Sequence, residues 1–186
     1  LALFVSEHRQ EFPTIYASYQ KEPTGSRTIE SQHHTFRLER VAALESRPYS
    51  MAYLPDGRIL VSEKIRGLSL VDVKGNQGQP LPGTPRVWDT LLSFQGAWLN
   101  LGTALDVELH PDYESNGWIY LSHTDRCETE CAWPVPSTMV RVVRGRIRDG
   151  RWVDQELIWS VHGEHYTPVP DAVAAGRLAF DGQGHI

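Results

Sequence analysis

Residues 51–62 read MAYLPDGRILVS, two short apolar runs joined by an Asp-Gly turn. The pattern returns in residues 105–122, LDVELHPDYESNGWIYLS, and its first half returns in residues 178–186, LAFDGQGHI. We call these segments the first, second and third repeat. Asp-Gly and Asn-Gly steps tolerate the positive φ angles that tight hairpins require. A hairpin that recurs at intervals of roughly 50 to 70 residues predicts the blades of a β-propeller.

The rest of the chain shows an all-β pattern behind an N-terminal extension. Residues 1–34 lack a sustained hydrophobic period and predict an extension with one short helix around residues 13–19, whereas residues 35–186 predict the propeller. Its strands are predicted at 35–41, 50–54, 58–63, 67–73, 104–109, 117–123, 138–146, 151–159 and 177–181. Four strands per blade give about three blades, fewer than the roughly four to eight of a closed propeller. We therefore expect the remaining blades, or another chain, to complete it.

Composition narrows the classes of function. The 18 Lys and Arg residues against 23 Asp and Glu give a formal net charge of −5, which argues against nucleic-acid binding by phosphate neutralisation. Apolar runs are far shorter than the roughly 20 residues of a membrane-spanning helix, so we expect no membrane span. The apolar start at residues 1–5 is compatible with a processed export segment, and we expect a periplasmic or secreted protein.

The two cysteines, Cys127 and Cys131, lie close together in a polar segment after a predicted strand. Their spacing leaves three alternatives open, which are a local disulfide, two free thiols or a metal site. A disulfide here would close a very small loop and make it rigid, with little effect on global stability.

Two long connections are the candidate site regions. Residues 74–103 and 161–175 reach the length of about 12 to 15 residues above which loops in compact domains tend to be functional. In a propeller such connections gather on one face, around the central channel where ligands bind.

The repeats resemble the soluble glucose/sorbosone dehydrogenases, six-bladed propellers that use pyrroloquinoline quinone (PQQ). The resemblance is carried, in order, by residues 50–63, by residues 102–121 and by the segment Gly-Arg-Leu-Ala-Phe-Asp at 176–181. It implies that hydride passes from a sugar hydroxyl to the quinone while a histidine base takes the proton, with calcium as a second cofactor. It also implies that about half of the propeller is absent from this sequence.

The resemblance places the family's catalytic base on a residue that cannot accept a proton. The histidine falls on Val173, and its acidic neighbour falls on Ala172. Asp171 and His165 lie in the same connection and are the expected substitutes for the base.

The family's cofactor-contacting glutamine falls on Asn100, which keeps the amide with a shorter reach. Gln95 is the second candidate for this contact, and no residue is assigned to a metal. A sugar or glycan is the expected small-molecule partner. Because the base position is Val173, the alternative function is a non-catalytic propeller that binds a protein or a glycan.

Overall fold

The computed structural model describes residues 27–64, 66–86, 91–94, 97–100, 104–127, 137–167 and 176–186. The chain divides into two compact units between Val41 and Ala42. Within the described ranges the secondary structure is almost entirely β, with two short helical turns, so the all-β prediction is confirmed. No helix in these ranges has the length and hydropathy needed to cross a membrane.

The strands follow one another along the whole described chain. In chain order they are β1 (Arg27–Glu30), β2 (Thr35–Leu38), β3 (Pro48–Tyr53), β4 (Ile59–Glu63), β5 (Gly67–Val71), β6 (Leu91–Phe94), β7 (Ala97–Asn100), β8 (Ala104–Leu109), β9 (Ile119–Arg126), β10 (Thr138–Arg148) and β11 (Arg151–Trp159). Helix α1 (Tyr113–Asn116) lies between β8 and β9, and a 3₁₀ turn spans Gly163–His165.

The described part of the first unit is a hairpin of β1 and β2. The two strands pair antiparallel, from Arg27 with Leu38 to Glu30 with Thr35. The hairpin therefore crosses residue 35, where the sequence places the boundary between extension and propeller. That boundary stays a prediction, and the short helix expected around residues 13–19 lies outside the described residues.

The second unit contains two larger antiparallel sheets. One consists of β3, β4 and β5 in that order, and the other consists of β8, β9, β10 and β11 in that order. Each strand neighbours the strand that follows it in sequence, which is the strand order of a propeller blade. Strands β6 and β7 pair with each other as a separate hairpin.

The Asp-Gly and Asn-Gly steps form turns, as the sequence predicts. Gly57 and Gly117 have φ angles of 85° and 67°, in the left-handed region that glycine adopts at low cost. In the third repeat, the Asp181 carboxylate accepts hydrogen bonds from the backbone N–H groups of Gln183 and His185, at 2.8 and 2.9 Å. The turn chemistry is therefore local in all three repeats.

The two larger sheets share one apolar core. It is composed of Ala52, Leu54, Leu60, Leu68, Leu81, Ala104, Val107, Ile119, Leu121, Val143 and Trp152. Trp152 is 3% exposed, and its indole occupies the space beside Gly145 on the paired strand. A Cβ at Gly145 would lie 2.3 Å from Trp152 Cε2, so this position of the indole requires a residue without a side chain.

Two predictions about strands are wrong. Residues 74–103, predicted as a connection, contain the hairpin of β6 and β7, which the glycines and prolines earlier in that segment obscured. Residues 177–181, predicted as a strand, form none. The Leu178 N–H donates to the Asp106 carboxylate at 2.7 Å rather than to the carbonyl of a neighbouring strand.

We expect Gly145→Ala to destabilise the protein by about 1–3 kcal/mol, the usual cost of overpacking a core. The new methyl group would overlap the Trp152 indole, which the surrounding strands hold in place. The measurement is the free energy of unfolding from urea denaturation. Gly182→Ala is the matched control, because a Cβ at Gly182 meets no atom within 4 Å. Equal unfolding midpoints for the two variants would contradict this account of the core.

Candidate functional site

The proposed substitutes for the base lie in the connection after β11. His165 is the last residue of the 3₁₀ turn, and its side chain is 63% exposed, with Nε2 3.6 Å from Glu164 Oε1. Asp171 lies outside the described residues, as do Ala172 and Val173. Within the described ranges, the structure does not bring His165 into contact with another predicted site residue.

The predicted cofactor contacts and cysteines are only partly described. Asn100 is the last residue of β7, and Gln95 lies outside the described residues. Cys127 directly follows β9 and is disulfide-bonded. Cys131 lies outside the described residues.

Asp106 of the second repeat binds the start of the third, and Arg177 extends this contact to β3. Asp106 is 3% exposed, and its Oδ1 and Oδ2 accept hydrogen bonds from Arg177 Nη1 at 3.1 Å and from Leu178 N at 2.7 Å. The Arg177 guanidinium also donates to Ser50 Oγ and to the Tyr49 carbonyl, each at 3.4 Å. We call these five residues the Asp106 junction. It joins the segment after residue 175 to β3 and β8, the first strand of each larger sheet.

Serine hydroxyls make a second set of connections beside the junction. Ser62, the last residue of the first repeat, accepts a hydrogen bond from Ser50 N of β3 at 3.2 Å and donates to the Leu105 carbonyl of β8. Ser122, the last residue of the second repeat, accepts from a backbone N–H of β8 at 3.0 Å and donates to the Gly176 carbonyl. In β3 and in β8 the register of the ladder is irregular at this point. Each serine oxygen therefore accepts a hydrogen bond from an N–H that the irregular ladder leaves unpaired. The hydroxyl proton of the same serine connects its sheet to the next segment.

The junction also perturbs a neighbouring carboxyl group. Glu108 follows Asp106 by two positions in β8, so both side chains lie on the same face of the strand. Burial raises the pKa of Glu108, and the Asp106 carboxylate raises it further, while Arg177 acts in the opposite direction. Glu108 therefore keeps its proton to a higher pH than an exposed glutamate.

Polar side chains from several elements line a cavity of about 460 Å³. Its walls include His123 and Asp125 of β9, Arg141 of β10, Gln155 of β11 and Tyr166 of the following segment. Asp125 Oδ2 accepts a hydrogen bond from the Tyr166 hydroxyl at 2.8 Å and lies 2.9 Å from Arg141 Nη2. Sequence analysis did not identify this group.

His123 is the most constrained member of the cavity wall. It is 7% exposed, and its Nδ1 lies 3.0 Å from the Thr124 carbonyl. A carbonyl can only accept, so Nδ1 carries a proton. Burial lowers the pKa of His123, which favours the neutral ring and leaves Nε2 as an unprotonated acceptor. In the described part of the chain, Nε2 is buried and has no hydrogen-bond partner.

The described residues do not contain a metal cluster. Among them, no three or more His, Cys, Asp or Glu side chains lie close enough together to hold a metal ion.

Comparisons with known proteins identify the relatives of this chain. Residues 45–186 match the Glucose / Sorbosone dehydrogenase family. No curated protein matches the chain significantly.

Several solved structures are similar to the chain. The crystal structure of a glucose dehydrogenase is 25% identical, with a TM-score of 0.54, over 75% of this chain and 36% of its own. The apo soluble aldose sugar dehydrogenase from Escherichia coli is 23% identical, with a TM-score of 0.53, over 74% of this chain and 35% of its own. A PQQ-bound aldose sugar dehydrogenase from Streptomyces coelicolor is 20% identical over 73% of this chain and 34% of its own, but its TM-score of 0.43 is too low to support an inference.

These likenesses confirm the predicted fold, a partial β-propeller. The chain spans about a third of the length of the solved structures that it matches, 36% and 35% for the first two.

We expect Asp106→Ala to cost more stability than Arg177→Ala. Removing the carboxylate leaves the Leu178 N–H and the guanidinium without their acceptor, at about 1.5–3 kcal/mol. Removing Arg177, whose side chain is 70% exposed, leaves Asp106 with its backbone donors and should cost about 1 kcal/mol or less. Urea denaturation of both variants measures the difference. Equal losses would show that the ion pair with Arg177, and not the hydrogen bond from the Leu178 N–H, accounts for the stability that Asp106 contributes.

We expect stability at high pH to depend on Tyr166. Burial, and then the hydrogen bond to Asp125, raise the pKa of Tyr166 from 10.0 to about 12. Because the folded state holds this proton more tightly than the unfolded state, the contribution is complete below about pH 10 and is lost as the pH rises to about 12. The measurement is the free energy of unfolding in urea at intervals between about pH 9 and about pH 12.

Tyr166→Phe should be less stable than the parent protein at about pH 9 and should lose less stability as the pH rises. Tyr53→Phe is the control, because Tyr53 is 64% exposed, and it should keep the parent's pH dependence. The explanation is wrong if Tyr166→Phe keeps that dependence too.

Proposed function

The chain belongs to the glucose/sorbosone dehydrogenase family, and we propose that the protein is an oxidoreductase that oxidises a hydroxyl group of a sugar. The observation that supports this proposal is the family match over residues 45–186, which includes all three repeats and the Asp106 junction. The fold alone does not identify a substrate, because one fold hosts many chemistries.

We propose PQQ as the hydride acceptor and calcium as a second cofactor, on the resemblance to the family. When bound, the quinone supplies an electrophilic carbonyl for the hydride of the sugar. The described residues do not form a site for either group. They hold no cluster of metal ligands, and among them only Asn100 is a predicted quinone contact. Gln95 lies outside the described residues and stays a predicted contact.

The reaction also requires a base, because an alcohol is too weak an acid to release its proton unaided. We propose that Asp171 or His165 replaces the histidine absent at Val173. The exposed side chain of His165 is accessible to a ligand. Its segment is paired with β10 through Thr138 and Thr167, whose backbone N–H groups donate to each other's carbonyls at 2.9 and 3.3 Å. The segment is therefore anchored two residues after His165.

We propose a periplasmic or secreted location. The disulfide at Cys127 supports it, because disulfides form and persist in oxidising compartments.

The alternative function is binding of a protein or a glycan without catalysis. Val173 and Ala172 favour this alternative, because neither side chain can accept a proton at the position where the family has its base. The propeller scaffold would then carry binding loops only.

We expect the purified protein, supplied with PQQ and calcium, to reduce a redox dye in the presence of aldose sugars. If His165 is the base, His165→Ala should lower kcat by about 10²- to 10⁴-fold, and Asp171→Asn should do so if Asp171 is the base. His162→Ala is the matched control, since His162 lies in the same segment and is not a proposed base. Steady-state dye reduction measures all of the variants.

The dehydrogenase proposal would be contradicted by the absence of dye reduction with every sugar, together with an unchanged PQQ absorption spectrum on addition of the protein. Turnover that none of the variants changes would contradict only the two proposed bases. The first result, combined with measurable binding of a glycan or a protein, would support the alternative function.

A further inference from the structure

Four steps of the chain place an aspartate or an asparagine directly before a glycine. They are Asp56–Gly57, Asn116–Gly117, Asp149–Gly150 and Asp181–Gly182. At such a step the backbone nitrogen of the glycine can attack the side-chain carbonyl carbon of the preceding residue and close a succinimide ring, because glycine has no Cβ to hinder the approach. The attack requires a side chain and an N–H group that are both free, so the fold determines which of the steps can react.

The step of the first repeat is held by its own turn. Asp56 Oδ1 accepts a hydrogen bond from Arg58 N at 3.1 Å, and Oδ2 accepts from Arg58 Nε and Nη2 at 2.9 and 2.6 Å. The Gly57 N–H donates to the Leu54 carbonyl at 3.0 Å. Both groups that would form the ring are therefore engaged.

The steps of the second and third repeats are held as well. Asn116 Oδ1 accepts a hydrogen bond from Trp118 N at 2.8 Å, and the Gly117 N–H donates at 2.7 Å to the carbonyl of the first residue of α1. The Asp181 carboxylate accepts from two backbone N–H groups, and its Oδ2 lies 2.8 Å from His185 Nδ1. The side chain of each repeat's step is thus fixed by the turn that contains it.

The fourth step lies outside the repeats, in the hairpin between β10 and β11. Asp149 and Gly150 are exposed, and their φ angles of 50° and 70° are those of a two-residue type I′ turn. Within the described residues, neither the Asp149 carboxylate nor the Gly150 N–H has a hydrogen-bond partner. A Cβ at Gly150 would meet no atom within 4 Å, so the space around the attacking nitrogen is open.

Local sequence does not explain this difference, because two of the steps belong to the same tripeptide. Asp-Gly-Arg stands both at 56–58 and at 149–151. The Arg58 guanidinium turns back onto the Asp56 carboxylate. Arg151 instead begins β11 and pairs across the hairpin with Arg148. The fold therefore protects the first copy of the tripeptide and leaves the second copy unprotected.

We propose that Asp149 is a site of spontaneous isoaspartate formation in the folded protein. The Gly150 nitrogen bonds to Asp149 Cγ and loses its proton, and the carboxyl oxygen leaves as water. Water then adds to the main-chain carbonyl of the succinimide and breaks its bond to the Gly150 nitrogen, so that the main chain continues through Cγ. The water released in the first step equals the water taken up in the second. The reaction needs no oxidant, cofactor or enzyme.

The product alters the hairpin that contains it. Isoaspartate inserts an extra methylene group into the main chain of a two-residue turn, and such turns fix the register of the strands that they join. The pair next to the turn is Arg148 with Arg151, and the following pair is Ile147 with Trp152, whose indole lies in the core. We therefore expect the isomerised protein to be less stable than the parent protein.

The experiment incubates the purified protein without sugar, quinone or calcium, in mildly acidic buffer below its unfolding temperature. Peptide mapping with electron-transfer fragmentation distinguishes isoaspartate from aspartate at each step. We expect isoaspartate to form at Asp149 about tenfold faster, or more, than at Asp56 or Asp181, because hydrogen bonds to an ionised carboxylate must break before the ring closes. In urea, where the fold is lost, Asp56 and Asp149 should react at similar rates.

Arg58→Ala tests the protection directly. It removes the two side-chain hydrogen bonds to Asp56 and should raise the rate at Asp56 several-fold. Arg151→Ala is the matched control, because Arg151 has the same place in its tripeptide and, within the described residues, does not contact the Asp149 carboxylate. The rate at Asp149 should stay that of the parent protein. Asp149→Glu should abolish the product at this position, since its longer side chain would have to close a larger, less favourable ring.

Three results would overturn the proposal. The first is no isoaspartate at Asp149 in the folded protein under conditions in which the urea-unfolded chain forms it there. The second is an equal rate at Asp56 and Asp149 in the folded protein, which would show that local sequence and not the fold controls the reaction. The third is an unchanged rate at Asp56 in folded Arg58→Ala. None of these results involves turnover, so the dehydrogenase proposal is tested separately.

Discussion

A buried carboxylate determines how the described sheets are joined. Removing the charge of Asp106 from water is strongly unfavourable unless a cation and hydrogen-bond donors replace the solvent. Arg177 and Leu178 supply both, although they lie 71 and 72 positions further along the chain. Segment 176–180 is therefore held against β8 by a polar requirement and not by strand pairing. The T-shaped contact of Tyr120 with Phe180, 5.0 Å between ring centroids, adds an apolar contact to the same connection.

The serine that ends each complete repeat meets a related requirement. An irregular strand ladder leaves a backbone N–H without its carbonyl, and a buried N–H without an acceptor is costly. Ser62 and Ser122 supply that acceptor with one lone pair, and their O–H groups donate to the next segment. Gly176 allows this close approach, since a Cβ there would lie 2.6 Å from Leu105 Cδ1. Each of the two complete repeats thus ends in a serine that connects its sheet to the next segment.

The parts of the fold that sequence analysis predicted are those that depend on local chemistry. Turns at Gly57 and Gly117 follow from residues next to each other in the chain. The strand predicted at 177–181 failed because a distant carboxylate, Asp106, takes the backbone donor that a strand would use. The cavity could not be predicted for two reasons. Its walls come from several elements, and β9 is buried on both faces along most of its length, so its hydrophobic pattern does not set His123 apart from its neighbours.

A residue that the fold itself requires is weak evidence for a catalytic or binding role. A residue that lowers the stability of the fold is stronger evidence for such a role. Arg177 belongs to the segment by which the family is recognised, yet its contacts with Asp106 and Ser50 give it a structural reason to be there. The presence of Arg177 is therefore evidence for the fold and not for catalytic activity. His123 is the opposite case. Its Nε2 is buried without a hydrogen-bond partner in the described chain, so it does not contribute to the stability of the fold. The Gly-Arg-Leu segment is therefore evidence for the scaffold and not, by itself, for a reaction.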